Sequence, residues 1–295
     1  MNGRIVRIIS NLYTVACNDE LYACRARGKF RNEKIVPCVG DNVVIDIEKQ
    51  VIIDVLPRTN ELYRPVIANV DIGLIVTSTK KPTLDLVLLD KLISVITFNN
   101  IEPIICFTKT DLLDNEEFDN VECLKKYYEM IGIRCVYNTE VTEIKKIIKD
   151  KVVVLAGQTG AGKSSLLNRL DTDLDIKTDE ISEALGRGKH TTRHVELYEI
   201  GEGFIADTPG FSALDFKDMN KEQLRDTFIE FKEYDCRFRD CMHNKEIDCG
   251  VKEAVNEKMI LQSRYRNYLQ YLEELGKWWR LVFHFYVVIM IKTKQ

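Results

Sequence analysis

The stretch Val152-Val-Val-Leu-Ala156, Gly157-Gln158-Thr159-Gly160-Ala161-Gly162-Lys163-Ser164, Ser165-Leu-Leu-Asn-Arg-Leu170 decides the fold. The apolar, β-branched run at its start predicts a buried parallel strand, and the segment from Ser165 predicts the beginning of a helix. Between them lies a complete phosphate-binding loop. Its glycines let successive backbone N–H groups turn inward around phosphates, Lys163 brings a cation to the β/γ oxygens, and the Ser164 hydroxyl can ligate Mg²⁺. A chance Gly-rich turn containing Lys and Ser is the alternative. The strand before the loop and the helix after it favour an α/β domain that binds nucleotide.

A second element follows in the expected place. Gly203-Phe-Ile-Ala206 predicts a strand running into Asp207-Thr208-Pro209-Gly210. An aspartate at the carboxyl end of a strand beside the phosphate loop can hold the Mg²⁺ water shell, and the Gly210 amide can sense the γ-phosphate. Alone, the tetrad reads equally well as a plain turn. Its position after the loop and behind a strand favours a switch.

Upstream, Ile101-Glu-Pro-Ile-Ile-Cys-Phe107 predicts a strand that delivers Thr108-Lys109-Thr110-Asp111 to the carboxyl edge of the sheet, where ligands bind in open α/β folds. A carboxylate there accepts hydrogen bonds from both the N1–H and the N2 amine of guanine, a pattern that adenine does not offer. Asp111 is therefore the expected specificity residue. The usual motif begins with Asn. Thr108 stands in that place with a hydroxyl that can donate to a ring nitrogen but cannot bridge as an amide does, so weaker base affinity is expected. Without the phosphate loop, the same tetrapeptide reads as a loop in which Asp111 caps a helix. The companion base-side loop should follow Ile133-Arg-Cys-Val-Tyr137, around Asn138 and Thr139, where no clear match stands. In ordinary GTP-binding proteins the phosphate loop comes first; here the parts are in rotated order.

This rotated order, together with Lys177-Thr-Asp-Glu-Ile-Ser182, Gly186-Arg-Gly-Lys-His-Thr-Thr-Arg193 and Cys236-Arg-Phe-Arg-Asp-Cys-Met-His243, resembles the RsgA family over roughly residues 1 to 275. These are circularly permuted GTPases of small ribosomal subunit assembly. The resemblance implies that Gly186 to Arg193 is the first switch, in which either Thr191 or Thr192 reaches Mg²⁺ and the γ-phosphate. The position after Asp207-Thr-Pro-Gly210 is Phe211, which has no polar atom to orient a water. By the resemblance His190 takes that role through an imidazole nitrogen. From the residues alone, a solvated loop histidine is an equal reading. Hydrolysis is expected to be slow unless a partner organises the loop.

Cys236, Cys241, His243 and Cys249 form a second constellation. Three thiols and one imidazole at this spacing match a closed tetrahedral Zn²⁺ site with no position left open for catalysis, so a structural role is expected. The alternative is scattered buried cysteines. Cys17, Cys24, Cys38, Cys106, Cys123 and Cys135 lack metal spacing and read as reduced core or surface thiols.

The 295 residues are 45% hydrophobic and 30% charged, enough for a sizeable core in two or three domains. Nine cysteines and the absence of an apolar leader in Met1-Asn-Gly-Arg-Ile-Val-Arg point to a reducing cytoplasm. A net charge of −4 excludes whole-surface adhesion to nucleic acid, so RNA must be met by local patches. Short β-like runs in residues 1–68 predict a small barrel. Within it Arg25-Ala-Arg-Gly-Lys-Phe-Arg31 and Lys34 combine cations with an aromatic, suited to phosphate contact and base stacking or to a plain solvated loop. Resemblance to the family's oligonucleotide-binding barrel favours ribosomal RNA.

The expected architecture is an N-terminal OB-type β-barrel (1–68), a circularly permuted P-loop GTPase domain (69–222) and a C-terminal helical zinc-binding domain (223–295). Helical spacing is read in Leu84 to Thr97, Phe118 to Gly132, Lys221 to Tyr234 and Val251 to Leu275. The apolar run Trp278 to Ile291 departs from the family. It is too short, with Arg280 and His284 inside, to span a bilayer at ~20 residues, and reads as a frameshifted or read-through tail or a strand packing on a neighbour. The leading expectation is a monomeric Mg²⁺-dependent GTPase that binds the small ribosomal subunit late in maturation, hydrolyses GTP there with subunit stimulation, and leaves. The rival is an RNA-binding assembly factor that binds GTP or GDP without significant turnover. An ATP-dependent P-loop protein is a third reading.

Overall fold

The computed structural model describes residues 1–18, 20–28, 30, 35–63, 66–171, 195–207, 216 and 218–276. They form two compact units: Met1–Leu84 with Asn99–Leu214, and Asp85–Phe98 with Asp215–Gln295.

The first unit begins with a five-stranded barrel of the OB type. Strands β1 (Asn2–Ile9), β2 (Leu12–Cys17), β3 (Glu20–Ala26), β4 (Asn42–Asp46) and β5 (Val51–Val55) follow the order β1-β2-β3-β5-β4, and β4 pairs back to β1 through Gly3↔Val43. Alternation along the strands turns Ile5, Val15, Cys24, Val43, Ile45 and Ile52 into the interior, all buried. The basic loop needs a correction. Phe30, expected to offer a face for base stacking, is only 2% exposed, whereas Arg25 and Arg27 face solvent. An aromatic flanked by polar residues is packed inside because burying its ring gains more than exposing it. Lys29, Arg31 and Lys34 lie outside the described residues.

The segment leaving the barrel is pinned by polar contacts. Arg58 forks onto the fully buried Asp41 through Nε–Oδ1 at 2.7 Å and Nη2–Oδ2 at 2.9 Å. Asn69 donates to the Gly40 carbonyl at 3.0 Å, and Asn60 exchanges two hydrogen bonds with the Val70 backbone. A short hairpin, β6 (Glu61–Tyr63) and β7 (Val66–Ala68), lies within this segment.

The nucleotide sheet follows. Strands β8 (Ile72–Ser78), β9 (Glu102–Thr108), β10 (Arg134–Tyr137), β11 (Val152–Ala156) and β13 (Gly203–Asp207) are parallel in the order β10-β9-β8-β11-β13, with β12 (Glu196–Ile200) antiparallel beyond β13. Every residue of β8 and of β11 is buried, as expected of strands covered on both faces. One face packs under α3 (Val141–Ile148) and α4 (Lys163–Leu170). There Leu74, Val76, Val153 and Leu155 meet Ile144, Ile148, Leu166 and Leu167, each buried side chain worth roughly 1.5–3 kcal/mol. The barrel and this sheet are continuous, because β12 also pairs with β1 at Arg7↔Glu196, where the side chains meet at 3.3 Å.

The second unit holds α1 (Leu86–Phe98), α5 (Lys221–Thr227), a 3₁₀ turn (Ile229–Glu233), α6 (Gly250–Asn256) and a helix over 262–276. Helix α1 lies between β8 and β9 in the chain, yet it groups with the C-terminal residues. Its Asp90 accepts from Arg264 at 2.7 Å, and Arg264 also grips Glu230, all three buried. Asn267 donates to the second Asp90 oxygen at 2.6 Å. The helical stretches expected before and after the cysteines are each broken, at Phe228 and over 257–261. The tail 278–291 lies outside the described residues, and among the described residues no helix is long and apolar enough to cross a membrane.

Candidate nucleotide site and metal centre

From β8 the sheet grows in one direction through β9 and β10, and from β11 in the other through β13 and β12. The order therefore reverses between β8 and β11, and the loops leaving their carboxyl ends frame the crevice where open α/β sheets bind ligands. The loop after β11 is Gly157 to Ser164. Gly157 has φ +128°, and a Cβ there would lie 2.0 Å from the Val76 carbonyl oxygen of β8, so only glycine lets the loop turn this close to its neighbour. Gly162, with φ +100°, caps the start of α4, which opens at Lys163 and carries Ser164 and Ser165 in its first turn. The Lys163 ammonium donates to the carbonyls of Gly157 at 2.8 Å and Gln158 at 2.9 Å, folding back across the loop it serves.

The tetrapeptide Thr108 to Asp111, expected from the sequence to read the base, lies against this loop. The Thr108 hydroxyl donates to the carbonyl of Ala161 at 2.6 Å, both residues being buried, and the Lys109 ammonium donates to Gly160 at 2.8 Å and to the Lys81 carbonyl. Thr108 ends β9, whereas Lys109 adopts a left-handed conformation that starts a 3₁₀ turn, Thr110–Leu112, carrying an exposed Asp111. The Thr108 proton is directed at Ala161. Asp111 does not cap a helix: that cap is Asp114, which accepts from Glu117 N at 2.9 Å in a reciprocal capping box opening α2 (Asn115–Met130).

Sequence reasoning missed the loop after β8. Thr79 bonds the Thr108 carbonyl through both its amide, at 3.1 Å, and its hydroxyl, at 2.9 Å. Gln158 Nε2 donates to Thr83 O at 3.3 Å. Residues 79–83 thus bridge the Thr108–Asp111 segment and the Gly157–Ser164 loop, and no motif would have flagged them because their contribution is largely backbone. Asn138 N donates to Phe107 O at 3.0 Å, which brings the candidate base-side loop to the end of β9, while Thr139 is exposed. Asp207 ends β13, opposite Glu196. Gly210, His190, Thr191 and Thr192 lie outside the described residues.

The cysteine constellation converges in the second unit. The ligand atoms of Cys236, Cys241, His243 and Cys249 all lie within 4.8 Å of one another. Cys236 Sγ and Cys249 Sγ are 3.8 Å apart, and His243 Nδ1 is 3.4 Å from each. A tetrahedron with Zn–S near 2.3 Å has edges of about 3.8 Å, so this donor set is compatible with zinc. Burial raises the Cys241 thiol to about 12 and raises that of Cys249 as well, so their thiolates need a cation beside them. Burial, then Arg225, lowers the His243 pKa and keeps the imidazole neutral for ligation. Around the donors Tyr265 OH holds the His243 carbonyl at 2.6 Å and Tyr268 OH that of Met242 at 2.7 Å.

Comparison with known proteins agrees with this geometry. The RsgA GTPase family matches residues 55–217, and the RsgA N-terminal domain family matches residues 2–51. The small ribosomal subunit biogenesis GTPase RsgA 2 of Oceanobacillus iheyensis is 46% identical over 283 residues, spanning 92% of this chain and 97% of that protein. The RsgA of Enterococcus faecalis is 44% identical over 283 residues, spanning 93% and 95%. Among solved structures, YloQ, a circularly permuted GTPase, superposes with a TM-score of 0.81 at 36% identity, covering 94% of this chain and 95% of its own. YjeQ from Thermotoga maritima gives 0.81 at 34% identity, covering 93% and 98%.

Proposed function

The chain belongs to the RsgA GTPase family, and from that premise we propose that it binds the small ribosomal subunit through rRNA late in the subunit's maturation, hydrolyses GTP with subunit stimulation, and then leaves. The observation that carries the reading is the pair of bonds from Thr108 and Lys109 to Ala161 and Gly160. They join a guanine-selecting segment to a phosphate cradle despite their rotated order in the chain.

In this reading Asp111 accepts the N1–H and N2 amine of guanine, and the amides of Gly157 to Ser165 receive the phosphates. Lys163 exchanges its carbonyl partners for β/γ oxygens. Ser164 and Asp207, with Thr191 or Thr192, are the residues that would hold Mg²⁺, which when bound neutralises charge on the phosphates. His190 orients the attacking water and Gly210 senses the γ-phosphate. Zn²⁺ on Cys236, Cys241, His243 and Cys249 staples the C-terminal domain (223–295), the barrel (1–68) meets rRNA, and residues 69–222 supply the GTPase domain. We place the monomer in the cytoplasm.

Purified small subunits supply the test. Addition of subunits is expected to raise the GTP hydrolysis rate, with the increase lost in Lys163→Ala and reduced in His190→Ala. If the wild-type rate does not respond, the reading gives way to a factor that binds guanine nucleotide without significant turnover. Thr108 favours a modest affinity in either case, because its single proton is directed at Ala161.

A further inference from the structure

The Thr108 hydroxyl has carbonyl oxygens on two sides, Ala161 O at 2.6 Å and Thr77 O, near the end of β8, at 3.4 Å. A hydroxyl carries one proton, and both neighbours are acceptors, so the proton stays inside the protein whichever of them it meets. The rest of the side chain is enclosed as well. A Cβ on Gly162 would lie 3.7 Å from Oγ1, 3.8 Å from Cβ and 3.9 Å from Cγ2 of Thr108, so all three atoms rest over the residue that precedes α4. Thr108 is 1% exposed, and its own carbonyl is taken by the amide and hydroxyl of Thr79.

In the reading proposed above, Asp111 takes the N1–H and N2 amine on the Watson–Crick edge of guanine. Another edge carries N7, a bare acceptor that only a donor can read. An asparagine in the first position of the segment has two amide protons, enough for a loop carbonyl and N7 together. Threonine has one, and Ala161 holds it near the short end of the O–H···O range. The hydroxyl oxygen is left with lone pairs, which have no attraction for the lone pair of N7. Two further donors of this neighbourhood are also turned to carbonyls, Thr79 Oγ1 to Thr108 and Lys109 Nζ to Gly160 and Lys81.

We infer that Thr108 removes N7 from the groups this site reads, so that guanine nucleotides altered at N7 bind as tightly as GDP and GTP. The inference rests on guanine nucleotide as the ligand and deepens that reading. Selection falls on the Watson–Crick edge, and the Thr108 side chain joins two loops without touching the base.

The test compares GDP with 7-deaza-GDP, in which C–H replaces N7 and the Watson–Crick edge is kept, by calorimetric titration of the full chain. The wild type is expected to bind the two within about twofold. Thr108→Asn supplies a second proton and should favour GDP over 7-deaza-GDP by roughly 3- to 10-fold, the worth of one hydrogen bond. Thr108→Val should weaken both nucleotides alike and leave their ratio near one. A wild-type preference for GDP of about threefold or more overturns the inference, because some donor then reads N7. A ratio near one in Thr108→Asn overturns the role given to Thr108. Should Thr108→Asn fail to fold, as its circular dichroism would show, the two wild-type titrations still decide. A wild type that binds neither nucleotide sinks the guanine-nucleotide reading and this inference with it, a result distinct from tight GDP binding that discriminates at N7.

Discussion

The Thr108 hydroxyl and the Ala161 carbonyl oxygen are 2.6 Å apart, a bond between residues 53 positions apart in the chain that links the segment after β9 to the Gly-rich loop after β11. It sits where neither group can exchange its partner for water, since Thr108 is 1% and Ala161 0% exposed. Leaving that carbonyl without a donor would cost about 1–3 kcal/mol.

Thr108→Val keeps the shape and removes the donor. The expected result is a loss of about 1–3 kcal/mol in stability and GDP release faster by roughly tenfold, the equivalent of about 1.4 kcal/mol. Thermal unfolding and stopped-flow release of a fluorescent GDP analogue check it. Unchanged release would mean that the bond supports the fold without shaping the nucleotide site.

Asp111→Asn replaces two acceptors by one acceptor and one donor. Guanine then loses the partner for its N2 amine, while xanthine, which carries a carbonyl at that position, gains one. GTP affinity should fall by about 100-fold or more, and xanthosine triphosphate should become the tighter ligand in competition titrations. Equal loss of both nucleotides would remove Asp111 from the specificity role.

Gly157→Ala places a methyl group 2.0 Å from the Val76 carbonyl oxygen at a φ of +128°. The loop must move, at a cost of about 1–3 kcal/mol. Nucleotide binding by calorimetry should be lost while the circular dichroism spectrum stays that of the folded chain.

Removal of metal separates the units. Chelation, or Cys249→Ser, is expected to unfold the second unit, whose donors converge within 4.8 Å, and to spare GDP binding by the first, which has its own core. Native mass spectrometry should find one zinc per wild-type chain. A chelated protein with an unchanged melting curve would argue against a structural metal.

Arg264→Met leaves Asp90 and Glu230 buried without their shared cation. A loss of about 3–5 kcal/mol is expected by thermal unfolding. Adding Asp90→Asn and Glu230→Gln should recover part of it, because neutral amides no longer demand a counter-charge.

The phosphate loop and the metal constellation were legible in the sequence because each demands particular side chains at short spacing. Residues joined through the fold were not. The contact of Thr108 with Ala161 spans the sheet, and 79–83 bridge two loops mainly with backbone, which carries no residue signature. Phe30 was misread because a cationic neighbourhood says nothing about which way a ring points. Asp114 was overlooked as the cap because Asp111 stands only three residues earlier with the same side chain. Strand β12 went unread: Glu196 and Glu199 interrupt its apolar pattern, so its pairing with β13 and β1 marks it as a strand. The split of 223–276 into short helices follows from breaks that periodicity smooths over.

The shared ladder of β1 and β12 makes the barrel a poor candidate for dissection. A truncation that starts after residue 68 would strip β12 of its neighbour at Glu196 and leave a bare strand flank, the kind of surface that recruits foreign chains and drives precipitation. Expression of the isolated GTPase half should therefore yield insoluble material. Grafting studies on this architecture would do better to carry the first 68 residues along as part of the same body.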